Sequence, residues 1–86
     1  MTFEVKISKK VAKSISKINK DDAKRILDSL QKLEEPFSLP YEKLKGYSDT
    51  YRIRVGDYRI IYFVDKANKV VVVLRTDLRK AVYRKL

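Results

Sequence analysis

Arg52, Arg54 and Arg59 stand in the stretch YRIRVGDYRIIYFV, residues 51–64, at spacings that bring three guanidinium groups to one side of a strand pair. A guanidinium stays protonated, carries five N–H donors in a planar fork, and matches phosphate oxygens two at a time. Three of them together suit the binding and neutralisation of an anion. The chain has no Cys and no His. Disulfides, thiolate or imidazole metal sites, Ser-His or Cys nucleophiles and paired-His ribonuclease chemistry are therefore excluded. Any catalysis must come from Arg, Lys, Tyr, Asp or Glu.

The spacing argument depends on a turn. In Val55-Gly56-Asp57-Tyr58, the Gly-Asp pair suits a two-residue hairpin loop, because Gly56 takes the positive φ that primed turns need. The register is then fixed: Val55 faces Tyr58, Arg54 faces Arg59, Ile53 faces Ile60, and Tyr51 faces Tyr62. Side chains alternate along each strand, so Tyr51, Ile53, Val55, Tyr58, Ile60, Tyr62 and Val64 share a core face. Arg52, Arg54 and Arg59, with Ile61 and Phe63 beyond them, share the other. Like charges directly opposite each other weaken a sheet, so Arg54 against Arg59 points to something anionic lying over the pair.

The whole chain agrees with an anionic partner. Its 86 residues suit one domain with one modest core. The net charge of +10 and pI near 9.9 favour nucleic acid first, then an acidic protein or an anionic membrane surface. Residues 1–43 carry a net +3 and residues 44–86 a net +7, so the excess sits with the hairpin and the residues C-terminal to it. The apolar runs are too short to span a bilayer, and MTFEVKISKK lacks the apolar segment of a signal peptide. A cytoplasmic protein without a membrane partner is expected.

The elements that must hold the hairpin are legible in outline. In TFEVKIS, residues 2–8, alternation puts Phe3, Val5 and Ile7 on one face of a first strand. Ser8 suits the N-cap of a helix over KKVAKSISKIN, with Val11, Ile15 and Ile18 on its apolar face. A second helix begins near Asn19–Asp22, with Asp21 and Asp22 favourable against its dipole, and runs to about Glu35, where Pro36 stops it. Residues 36–49 read as a loop with at most a short strand or turn. After the hairpin, residues 65–68 connect to KVVVVLRT, residues 69–76, whose Val70–Leu74 run predicts a central strand buried on both faces. DLRKAVYRKL reads as a short helix or a tail. The order β-α-α-β-β-β predicts an α+β domain: a helical hairpin packed on one face of a small, mostly antiparallel sheet. Lys9, Lys13, Lys17 and Lys24 suit either a solvated helix surface or contact with a nucleic-acid backbone.

Residues 43–83, KLKGYSDTYRIRVGDYRIIYFVDKANKVVVVLRTDLRKAVY, resemble the core of the RelE/ParE toxin superfamily of type II toxin–antitoxin systems. The shared pattern is L-K-G, a short spacer, Y-R-I-R-x-G-x-Y-R-I-I-Y, a valine-rich strand, then an arginine and a tyrosine. The resemblance implies a RelE-like fold and one of two activities. RelE-like members are ribosome-dependent endoribonucleases that cut messenger RNA in the A site through 2′-hydroxyl attack, without a metal or other cofactor. ParE-like members poison DNA gyrase instead. Both are silenced by a cognate antitoxin, RelB-like in the first branch, so the implied partners are an antitoxin, the ribosome and messenger RNA.

Carried across by position, the RelE site falls on Arg52, Arg54, Arg59, Arg79 and Tyr83, with Lys45, Arg75 and Arg84 as further candidate RNA contacts. In that set Arg54, Arg59 and Arg79 would stabilise the phosphate charge, and Tyr83 would stack on or orient the messenger. Relatives commonly carry lysines at the positions of Arg52 and Arg54. Many carry Gly-His where this chain has Asp77-Leu78. Arginine cannot readily accept the proton of the attacking hydroxyl. That leaves Tyr83, Asp77, a ribosomal group or water.

Overall fold

Local capping chemistry sets the first half of the chain. The computed structural model describes residues 2–78. Strand β1, Glu4–Ile7, leads directly into α1, Lys9–Ser16, where the Ser8 side chain accepts a hydrogen bond from the Val11 amide at 3.2 Å. Helix α1 ends earlier than its apolar period suggests. The amides of Lys17 and Ile18 turn back to the carbonyls of Ser14 and Ile15, and Asn19 then adopts an extended backbone to cap α2, Lys20–Lys32, accepting from the Asp22 amide at 2.9 Å. A residue cannot both continue one helix and cap the next. Helix α2 likewise closes at Leu33, and i→i+3 bonds from Leu33, Glu34 and Glu35 carry the chain to Pro36.

The remaining strands are β2, Glu42–Lys43; β3, Thr50–Val55; β4, Tyr58–Asp65; and β5, Val70–Leu78. They form one five-stranded sheet in the order β1-β5-β4-β3-β2, with β1 parallel to β5 and every other pair antiparallel. The predicted α+β class and the hairpin register hold, including Arg54 opposite Arg59. Strand β2 is an addition to the predicted order, inside the segment expected to be mainly loop. Between β4 and β5 the Asp65 carboxylate accepts from both the backbone amide and the side chain of Asn68, at 3.1 and 2.9 Å. Those bonds hold the Asp65 carboxyl below its ordinary pKa.

Both helices lie on one face of the sheet, where Val11, Ile15, Ile26, Leu30 and Leu33 meet Tyr51, Ile53, Tyr58, Ile60, Tyr62, Val64, Val71 and Val73. Tyr62 is fully buried and donates its hydroxyl proton to the Pro36 carbonyl at 3.2 Å. Burial, with Tyr41 and Tyr51 nearby, pushes its pKa up to about 12.

Strand β5 departs from expectation in two ways. It is central, between β1 and β4, but only Val71 and Val73 are buried; Val70 and Val72 are half-buried and Leu74 is 47% exposed. With both helices on one face, the valine run has a packed side and an uncovered side. The strand also contains a bulge. Tyr62 pairs with Val73 but Ile61 pairs with Arg75, so Leu74 is the extra residue. Asp77 and Leu78, expected in a terminal helix or tail, belong to this strand.

Candidate nucleic-acid interface

Residues paired directly across antiparallel strands share a face, so the register places each candidate. One row runs Arg54, Arg59, Asp77 across β3, β4 and β5. The adjacent row runs Glu42, Arg52, Ile61, Arg75 across β2 to β5. Strand spacing and rise put Arg52, Arg54, Arg59 and Arg75 in a patch about 10 Å across the strands and about 7 Å along them. The helices lie behind the sheet, and the patch faces away from them. Farther along the same face, Phe63 and Val72 pair with each other and are half-buried.

The bulge decides which residues reach this patch. Counting by twos from Val71 and Val73 sends Arg75 and Asp77 toward the core. The extra residue at Leu74 reverses that phase and delivers both to the arginine face. Arg75 Nη2 then lies 3.1 Å from Asp77 Oδ1, and Arg52 Nη2 lies 3.3 Å from Glu42 Oε2. The Arg52–Glu42 pair lies at the sheet edge with Glu42 mostly exposed and stabilises by at most about 1 kcal/mol, so an incoming phosphate can displace it. Arg54 is exposed and makes no ion pair among the described residues. Arg59 is half-buried, and its Nε–H has no hydrogen-bond partner among them. Leaving a buried donor unmade costs about 1–3 kcal/mol.

The structure therefore gathers four of the eight candidates, Arg52, Arg54, Arg59 and Arg75. It does not bring Lys45 to them. Lys45 is exposed in the turn beyond the Thr50 end of β3, about 13 Å of strand from Arg54. Arg79, Tyr83 and Arg84 lie outside the described residues. Tyr58 and Tyr62 are poor proton acceptors here, since both face the core and burial raises both pKa values.

Five further residues were not legible as parts of the site. Glu42 comes from the two-residue strand β2, too short to show a period. Arg25 of α2 reaches the hairpin turn, with Nη1 3.7 Å from the position of a Cβ on Gly56, whose φ is +60°. Arg52 and Arg54 also line a groove of about 480 Å³ with Ser29, Lys32 and Tyr41. No spacing rule connects those helix and loop residues to the strand.

Fold and patch together define a small basic α+β domain suited to a polyanion. Residues 5–83 match the family described as the ParE toxin of the type II toxin–antitoxin system parDE. The RelE–RelB complex of Pyrococcus horikoshii OT3 contains a chain that is 39% identical, with 92% of this chain and 97% of that one covered and a TM-score of 0.80. RelE1 of Methanocaldococcus jannaschii is 27% identical over 98% of both chains. The free E. coli RelE toxin, in a mutant form, superimposes over 100% of both chains with a TM-score of 0.77 at 23% identity, a likeness of fold. The chain belongs to the RelE/ParE superfamily and is a RelE-type toxin of a toxin–antitoxin system.

Proposed function

We propose that this protein is a ribosome-dependent endoribonuclease that cuts messenger RNA in the A site, stops translation, and is silenced by a RelB-like antitoxin. The observation that carries this reading is the gathering of Arg52, Arg54, Arg59 and Arg75 on the uncovered face of the sheet. Strand scission by the adjacent 2′-hydroxyl develops charge on a pentavalent phosphate, and forked donors fixed on a rigid sheet offset it as it forms. Arg79 and Tyr83 complete the catalytic set in this reading, with Lys45 and Arg84 as outlying RNA contacts. The reaction needs no metal or cofactor and takes place in the cytoplasm. The RelE–RelB complex of Pyrococcus horikoshii supports a RelB-like partner, and an acidic segment laid over the patch would block it.

Primer extension on ribosomes programmed with a defined codon in an empty A site tests the proposal. Cuts confined to that codon, weakened about 10²-fold in Arg54→Ala and Arg59→Ala proteins, are expected. Intact messenger with folded, antitoxin-free protein overturns it.

Two observations favour a second reading, non-enzymatic inhibition of DNA gyrase. The matching family is described as the ParE toxin, and positions 52 and 54 hold arginine where RNA-cutting relatives commonly hold lysine. A supercoiling assay separates the two: inhibition without RNA cleavage selects the second.

A further inference from the structure

We infer that Asp77 is the catalytic proton acceptor of the RNA-cutting reaction; this rests on the nuclease reading above. The attacking 2′-hydroxyl must lose a proton, and the arginines around it have none of the required acceptor capacity. The described carboxylates on the open face are Glu4, Glu42, Asp65 and Asp77. Glu4 and Asp65 share the row of Val70, at the other end of the sheet from the hairpin turn. Glu42 belongs to the edge strand and its side chain is 58% exposed.

Asp77 is placed differently. It is the register partner of Arg59, which is the partner of Arg54, so a phosphate held by those two arginines lies beside its carboxylate. Its side chain is only 29% exposed, and Arg75 holds Oδ1 at 3.1 Å while Oδ2 has no hydrogen bond among the described residues. One oxygen is anchored and the other is left to accept. The Leu74 bulge is what turns this carboxylate out of the core and into the row of arginines.

In the step itself, the O2′–H bond breaks and its proton passes to Oδ2. O2′ bonds to phosphorus, and the P–O5′ bond breaks. The leaving oxygen takes a proton from water and the hydroxide so formed takes the proton from Oδ2, which restores the carboxylate and the water and gives a 2′,3′-cyclic phosphate and a 5′-hydroxyl end. No oxidant, metal or further reactant enters the balance.

The alternative role, a carboxylate that merely neutralises the patch, predicts the opposite sign. Removing its charge would tighten RNA binding and leave cleavage as fast or faster. The test is single-turnover cleavage on programmed ribosomes by wild type, Asp77→Asn and Asp77→Ala, with ribosome binding and thermal unfolding measured on the same samples. Expected are rates lower by about 10²-fold or more with binding equal or tighter, and partial recovery of Asp77→Ala by added formate. Wild-type cleavage matched by Asp77→Asn overturns the assignment and leaves the nuclease reading intact. A rate loss accompanied by lost binding or lost fold, without formate recovery, also overturns it. Absence of cleavage by wild type overturns the nuclease reading and this assignment with it.

Discussion

Arg54 and Arg59 are the clearest case of a residue choice that stability alone does not explain. Directly opposed like charges on a sheet cost a few tenths of a kcal/mol. Arg54→Thr is therefore expected to raise the thermal midpoint slightly while weakening RNA or ribosome binding. It should also reduce the salt slope of that binding by about one; calorimetry and binding titrations at several salt concentrations check both. Tyr62 gives a residue-scale prediction with pH. Its folded pKa of about 12 exceeds the ordinary value near 10, so the unfolded chain releases its proton first as pH rises. The stability contributed by Tyr62 is complete below about pH 10 and is lost between about pH 10 and 12. Tyr62→Phe should cost about 1 kcal/mol near neutrality, from the lost bond to Pro36. Its unfolding free energy should fall less steeply than that of wild type across the alkaline window.

At the scale of elements, the hairpin was legible because its turn residues and its period-two pattern agree on a single register. Gly56 at φ +60° and alternating Tyr, Ile and Val leave no competing alignment. Ser8 was likewise visible as a helix cap and the second helix as starting near Asn19–Asp22, but the first helix was expected to run through Asn19, whose side chain instead caps α2. Strand β5 was not legible to the same degree. Four consecutive valines carry no alternation, so nothing in Val70–Val73 marks which face is packed or that Leu74 is a spare residue. That bulge creates an asymmetry between shortening and lengthening. Deleting Leu74 restores one-to-one pairing with Val71, Val73, Arg75 and Asp77 still on their present faces. Inserting Ala after Leu74 lets the alternation run unbroken, which keeps Arg75 and Asp77 on the open face but slides them two positions along β4, so that Arg75 rather than Asp77 stands opposite Arg59. Thermal unfolding of the two variants should show the deletion folded at about wild-type stability and the insertion folded but less stable, with Arg59 and Arg75 as directly opposed like charges.

The whole molecule places its charge opposite its core: helices cover one sheet face, and four arginines occupy part of the other. Capture of that patch by an acidic antitoxin segment should weaken steeply as salt rises. Titration calorimetry between about 0.1 and 0.5 M salt checks this, and a salt-independent affinity would argue for apolar capture elsewhere. The sheet order has a further consequence, in the timing of synthesis. β5 is the last described strand to be made, yet it lies between the first strand and the hairpin. A nascent chain exposed only to residue 65 holds Arg52, Arg54 and Arg59, but β1 has no neighbour and the sheet no centre. Stalled chains are expected to gain protease resistance only once residue 78 has cleared the exit tunnel. A toxin built in this order has no assembled site during most of its own translation, which leaves an interval for the antitoxin to be present before the first active copy exists.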